Sequence, residues 1–164
     1  MNGTTFMIII IAVIILGVTL YVNTQKNKQL QSEGKIIERS ADFMEKAEYF
    51  TLSIKNKEQV TEGVRKISYS EMVVSMKGDS EKQSFYFSNT WGWNARLYYA
   101  GEEEGKAVYC FEFLNWKKKD GFMIEGGIYM NMLVTAIEKM FLDIDPGTKV
   151  TDKRLDIKTK HSFF

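Results

Sequence analysis

The run Phe6–Val22, FMIIIIAVIILGVTLYV, decides how this chain is organised: it carries no charged residue, and only Gly17, Thr19 and Tyr21 interrupt it. Extended by Thr4 and Thr5, it approaches the ~20 residues needed to cross a hydrocarbon core of roughly 30 Å. Backbone in lipid satisfies itself only as a helix or a closed barrel. The sequence therefore predicts a transmembrane helix over residues 6–22, with the lipid bilayer as its partner, behind a short N-terminal tail of residues 1–5. A cleaved secretory signal is the competing reading. It is disfavoured because MNGTT holds no Lys or Arg, and Tyr21-Val22-Asn23 lacks the small residues of a cleavage site.

Basic residues occur only after the span, at Lys26, Lys28, Lys35 and Arg39. The positive-inside rule then predicts a single-pass protein of the cell membrane with its C-terminal domain in the cytoplasm. Asn2-Gly3-Thr4 matches a glycosylation acceptor, but its place beside the membrane makes the match a coincidence. From Asn23 to Glu48 the composition turns polar, while Leu30, Ile37, Ala41, Met44 and Ala47 recur at helical spacing. That pattern predicts a juxtamembrane stalk helix over residues 23–48. Gly34 weakens it by ~1 kcal/mol relative to Ala and suggests a joint near Ser32-Glu33-Gly34. The stripe falls short of the three or four heptads (approximate threshold) of a coiled coil, so it predicts packing on its own domain, with weak self-association as the alternative.

The remaining residues, 49–164, belong to one folded domain. The chain is 164 residues long, 45% hydrophobic and 13% aromatic, too rich in core formers for disorder. With 22 Lys+Arg against 21 Asp+Glu, the net charge of +1 gives no electrostatic reason to expect a nucleic-acid partner. A single cysteine, Cys110, excludes an internal disulfide framework and a Cys-rich zinc site. The single histidine, His161, disfavours a His-based metal cluster or a Ser-His relay, so no cofactor is expected.

Phe50, Leu52 and Ile54 alternate with polar residues, which predicts a half-buried strand. Asn56 then offers an N-cap to a short helix bearing Val60, Val64 and Ile67. Five further strands are predicted at Glu71–Lys77, Gln83–Ser88, Ala95–Ala100, Lys106–Trp116 and Phe122–Glu125, joined by short polar or Gly-containing links that favour antiparallel hairpins. A long helix follows from Ile128 to Leu142, with Met130, Leu133, Val134, Ile137 and Phe141 on one stripe, and it stops at Pro146-Gly147. The fold class is α+β: a transmembrane and stalk helix, then an antiparallel sheet of about six strands packed against one short and one long helix.

That order of elements, over Tyr49 to Leu142, is similar to the helix-grip fold of START-like and Bet v 1-like ligand carriers. The resemblance is topological and rests on no motif. It implies a cavity for an apolar ligand between sheet and long helix, and as a likeness of fold it assigns no function. Pilin-like proteins share a membrane helix running into a strand-rich head, but the basic leader and the Glu near the start of the span are absent from this sequence.

The motifs that carry chemistry elsewhere are weak here. Gly101-Glu102-Glu103-Glu104-Gly105-Lys106 has a spacer one residue short of a phosphate loop and three carboxylates that would repel phosphate, so it reads as a hairpin turn. Asp143 and Asp145 have too few neighbouring oxygens for Ca²⁺ and mark a helix end. Cys110 has no adjacent Lys, Arg or His and reads as a buried, inert thiol. Glu112 alternates with Cys110 and Leu114, opposite Tyr109, Phe111 and Phe113, and is expected on the solvated side.

Two features suit recognition. Trp91 and Trp93 flank Gly92 in a link and would point the same way on an extended segment, and Trp116 closes the next aromatic strand; core packing is the first expectation for these tryptophans and recognition the alternative. Lys117, Lys118 and Lys119 form a basic run at a hairpin, and residues 149–164 add a basic tail that includes Lys149, Lys153, Arg154, Lys158 and Lys160. A solvated turn and a frayed tail are the first expectation for these clusters, and contact with an anionic leaflet is the alternative. The sequence thus predicts, first, a non-catalytic binding or scaffolding module with a protein partner. The alternative is a membrane-tethered carrier of an apolar ligand or lipid, and an enzyme without a recognisable motif ranks third.

Overall fold

In the computed structural model the residues described are 3–53, 56–119, 123–124, 126–155 and 160–161. Ile54 of the first predicted strand, Phe122 and Glu125 of the last, and Lys158 of the tail lie outside them, as do the side chains of Lys118, Lys119 and Lys160. The chain divides into two compact units, Met1–Glu38 and Arg39–Phe164.

The first unit is dominated by one helix, α1 (Gly3–Ser32). From Met7 onward it is long and apolar enough to cross a membrane, and its large apolar side chains from Met7 to Val22 all stand exposed. The predicted stalk helix therefore continues the span without a break, but it ends at Ser32 and not near Glu48. Gly34, at φ +65°, takes the left-handed conformation that glycine adopts without steric cost. Its N–H donates to Gln31 O at 2.9 Å and that of Lys35 to Leu30 O at 2.8 Å, the paired bonds of a Schellman stop. Residues 36–40 are irregular, Phe43–Glu45 form a 3₁₀ turn, and the first strand already begins at Lys46. Met44 and Ala47, read as members of a helical stripe, are buried in that turn and that strand.

The second unit is built on β1 (Lys46–Leu52), α2 (Lys57–Lys66), β2 (Val74–Asp79), β3 (Ser84–Asn89), β4 (Asn94–Glu103), β5 (Lys106–Asn115), β6 (Lys117–Lys119), β7 (Met123–Ile124), α3 (Gly127–Ile144), β8 (Lys149–Arg154) and β9 (Lys160–His161). Six strands form an antiparallel sheet in the order β2-β3-β4-β5-β1-β8. The meander β2–β5 folds back so that β5 pairs with β1. The sixth strand differs from expectation. Met123–Ile124 pairs with β6 in a separate small sheet, and the place beside β1 goes to β8, which was read as tail. All six β8 residues are exposed and most are charged or polar, so this edge strand carries no hydrophobic signal. β2 also starts late, because Tyr69–Met72 form a 3₁₀ turn and Val73 is left-handed at φ +54°.

Both helices lie on one face of the sheet. The Asn56 side chain accepts from the N–H groups of Glu58 and Gln59 at 3.0 and 3.2 Å and so fixes the start of α2. The α3 stripe of Met130, Leu133, Val134, Ile137 and Phe141 is buried as predicted. Phe141 stacks on Phe50 of β1 with ring centroids 4.5 Å apart and lies 5.3 Å from the ring of Tyr109. Rings thus fill the space between helix and sheet where the helix-grip likeness implies a ligand. Phe85, Phe87, Leu97, Phe111 and Phe113 extend this core across the other strands.

Candidate functional site

The link between β3 and β4 separates the two tryptophans that flank Gly92. Gly92, at φ +88°, turns the chain, so Trp93 is fully buried while Trp91 keeps 46% of its surface exposed. On a straight segment they would have pointed the same way. Asn89 holds the turn from within: its Oδ1 accepts from the Trp91 N–H at 2.7 Å, and its Nδ2 donates to Met72 O and Val73 O at 2.9 Å. The exposed indole of Trp91 stacks on Tyr129 in the first turn of α3, 6.3 Å between centroids and 15° between planes. Trp116 is fully buried. Exposed Lys117 lies against the same turn, where a Cβ on Gly92 would stand 2.8 Å from its Cδ and Cε. Of the residues singled out for recognition, Trp91 and Lys117 therefore share one surface corner, and Trp93 and Trp116 belong to the interior.

A second array, on the sheet face opposite the helices, escaped the sequence reading. Registers place Tyr49, Cys110 and Tyr98 in one row across β1, β5 and β4. A neighbouring row runs Glu112, Arg96, Tyr86 and Lys77 across β5, β4, β3 and β2. Arg96 Nη2 donates to Glu112 Oε1 at 2.5 Å, and its guanidinium lies 4.2 Å over the Tyr98 ring. The tyrosine hydroxyls of Tyr98 and Tyr49 bond to the Cys110 sulfur, and burial outweighs those bonds to hold the thiol above its ordinary pKa. Cys110 is thus a protonated, buried thiol. Burial likewise raises Tyr98, whereas bonds from Ser84 and Arg96 draw exposed Tyr86 down. The strand alternation that put Glu112 beside Cys110 was the available signal; combined with Tyr49, Arg96 and Tyr98 it would have found the array.

A strongly perturbed carboxyl lies beside Arg39. Arg39 donates to Glu48 at 2.8 Å, to Glu138 at 2.5 Å and to Asn131 at 3.2 Å, with its side chain only 9% exposed. Two carboxyls thus share one cation. Burial, then the Glu138 charge, outweigh Arg39 and push Glu48 up to about 8. Glu48 Oε2 is buried without a hydrogen-bond partner among the described residues.

The other sequence candidates are structural. Glu104 and Gly105, at φ +50° and +77°, make the two-residue turn of the β4–β5 hairpin. Asp145 accepts from the N–H groups of Ser53 and Gly147 at 2.7 and 2.9 Å and fastens the end of α3. Between α2 and α3 an open groove of about 580 Å³ has Gly63, Ile67, Ala136 and Met140 on its walls and Glu62, Lys66, Lys139 and Asp143 among its charged residues. No family model matches this chain, and comparison with curated proteins finds no relative.

Proposed function

We propose that this chain is a single-pass membrane protein with a cytoplasmic α+β body, and that the body is a non-catalytic module binding a protein partner on the open face of its sheet. The observation that carries this reading is the contrast between the two faces. One is filled by stacked rings down to Phe50 and Phe141. The other presents Tyr49, Tyr98, Arg96, Glu112 and Tyr86 on adjacent strands, with Arg96 bonded to Glu112 and set over the Tyr98 ring. Tyrosine and arginine supply large contact area, and side chains already held in place lose little entropy on binding. A carrier needs room between helix and sheet, and rings occupy it. Membrane anchoring is supported by the exposed apolar length of α1, and the cytoplasmic side by basic residues that follow the span and do not precede it.

A photo-reactive residue at Tyr86, 49% exposed, tests the binding face in intact cells. The expected result is one discrete adduct that is absent when the probe sits at Lys66 on the helix side and lost on Lys77→Glu. Equal labelling from both faces, or none, refutes the reading. For sidedness, protease added to sealed, right-side-out cells should spare a C-terminal tag; loss of the tag reverses the topology.

A further inference from the structure

We infer that the corner formed by Trp91, Tyr129 and Lys117 seats against the headgroups of an anionic bilayer, so that the body rests on the membrane that holds its anchor. This rests on the anchoring proposed above but concerns a different surface from the open sheet face.

Three observations carry it. The aromatic pair, exposed Trp91 on half-buried Tyr129, is amphipathic in the sense that suits a headgroup layer: the two stack with planes 15° apart, and each ring joins an apolar body to a polar tip. Asn89 fixes the Trp91 backbone in advance, which limits the entropy lost on insertion. The fold also gathers basic residues here. Lys117 lies against the Gly92 turn, and it opens β6, the Lys117–Lys119 run, which pairs in parallel with β9 in the register Lys117↔Lys160. β6 and β9, far apart in sequence, thereby become neighbouring strands, and Lys117 brings β6 to the Gly92 turn next to Trp91. A protein partner would gain from Trp91 as well, but nothing in that case calls for a lysine run next to it.

The tether makes the contact easy to reach. Past Val22, α1 continues to Ser32, roughly 15 Å at 1.5 Å per residue. Residues 33–38 add at most ~20 Å of chain before Arg39 is clamped in the body. A body of this size is ~30–35 Å across. A covalent tether of this length keeps the body near the headgroups at an effective concentration of the order of millimolar, so a weak surface site suffices.

The test uses the full chain reconstituted in vesicles of phosphatidylcholine with or without phosphatidylserine. An environment-sensitive fluorophore is placed at Thr90→Cys, an exposed position beside Trp91, or at Ser75→Cys on the open sheet face; buried Cys110 takes no label. Headgroup-level nitroxide lipids should quench the probe at residue 90 several-fold more than at 75 in vesicles containing phosphatidylserine. Trp91→Ala should abolish the difference, and Lys117→Glu or high salt should reduce it. Equal quenching at the two positions, or quenching indifferent to Trp91→Ala, overturns the inference while co-flotation of the chain with the vesicles leaves the anchoring intact. Failure to co-float overturns both.

Discussion

Replacing Glu48 by Gln should remove a pH dependence built into the body. In the folded chain this carboxyl is pushed from 4.5 to about 8, by burial first and the Glu138 charge second. A raised acid holds its proton in the native state between those two values while the unfolded chain has released it. The native state then binds more protons, so stability falls as pH rises across that window and levels off beyond it. Each pH unit is worth ~1.4 kcal/mol, which sets an upper bound of about 5 kcal/mol for the whole window. Because the Glu138 charge and the Arg39 cation act on Glu48 in opposite directions, less than the whole window is realised, and about 2–3 kcal/mol is the expected loss. Glutamine keeps the shape, can accept from Arg39 through its carbonyl oxygen, and donates an amide hydrogen toward Glu138 where the proton stood.

Urea unfolding of the detergent-solubilised full chain, followed by fluorescence of buried Trp93 and Trp116, reports the body. The difference between Glu48→Gln and the parent should grow in the variant's favour by ~2–3 kcal/mol from about pH 5 to about pH 8, other titrating groups cancelling in the difference. Glu138→Gln should act in the same direction, and the double variant should add less than the sum of the two. Parallel profiles of variant and parent across the window would refute the reasoning.

Trp93→Ala should cost ~3–5 kcal/mol, the usual loss for a buried tryptophan, whereas Trp91→Ala should cost under ~1.5 kcal/mol because its ring is half exposed; equal losses in thermal or urea unfolding would contradict the division made by Gly92. Asn56→Ala should cost ~1 kcal/mol, since its side chain satisfies the N–H groups of both Glu58 and Gln59. No loss in unfolding free energy would show that the cap is replaced by water at no cost.

Legibility followed hydrophobic periodicity and ended where periodicity ended. The apolar run of α1, the alternation in β3, β4 and β5, and the five-residue stripe of α3 each commit their side chains to one environment, and each was readable. β8 has no buried residue, so it is held to β1 by backbone bonds and surface ion pairs such as Lys46–Asp152 at 3.1 Å, neither of which leaves an apolar pattern. The stalk failed in the opposite way: Met44 and Ala47 are buried as expected, but at helical spacing by accident, since the Gly34 stop intervenes. In the same manner one left-handed glycine, Gly92, reversed the orientation inferred for Trp91 and Trp93. Composition names such a glycine; only its φ says which way the neighbours go.

The two polar arrays differ in how far they could be seen, and the difference is one of range. On the open sheet face the contacts join adjacent strands of a meander, with Arg96 and Glu112 16 residues apart, so strand assignment plus alternation nearly specifies them. Arg39 reaches Glu48 across 9 residues but Glu138 across 99. That second contact exists only because α3 lies across β1, which brings a helix carboxyl over a strand carboxyl of the same sign. No local rule predicts two acids facing one cation in the interior, since each alone would be placed at the surface. The cluster is therefore a consequence of tertiary packing, and it locks Arg39, the first residue of the body, to the first strand and the last helix at once. Ionisation of Glu48 sets its charge against that of Glu138, and the Arg39 guanidinium bonded to both is what opposes their repulsion.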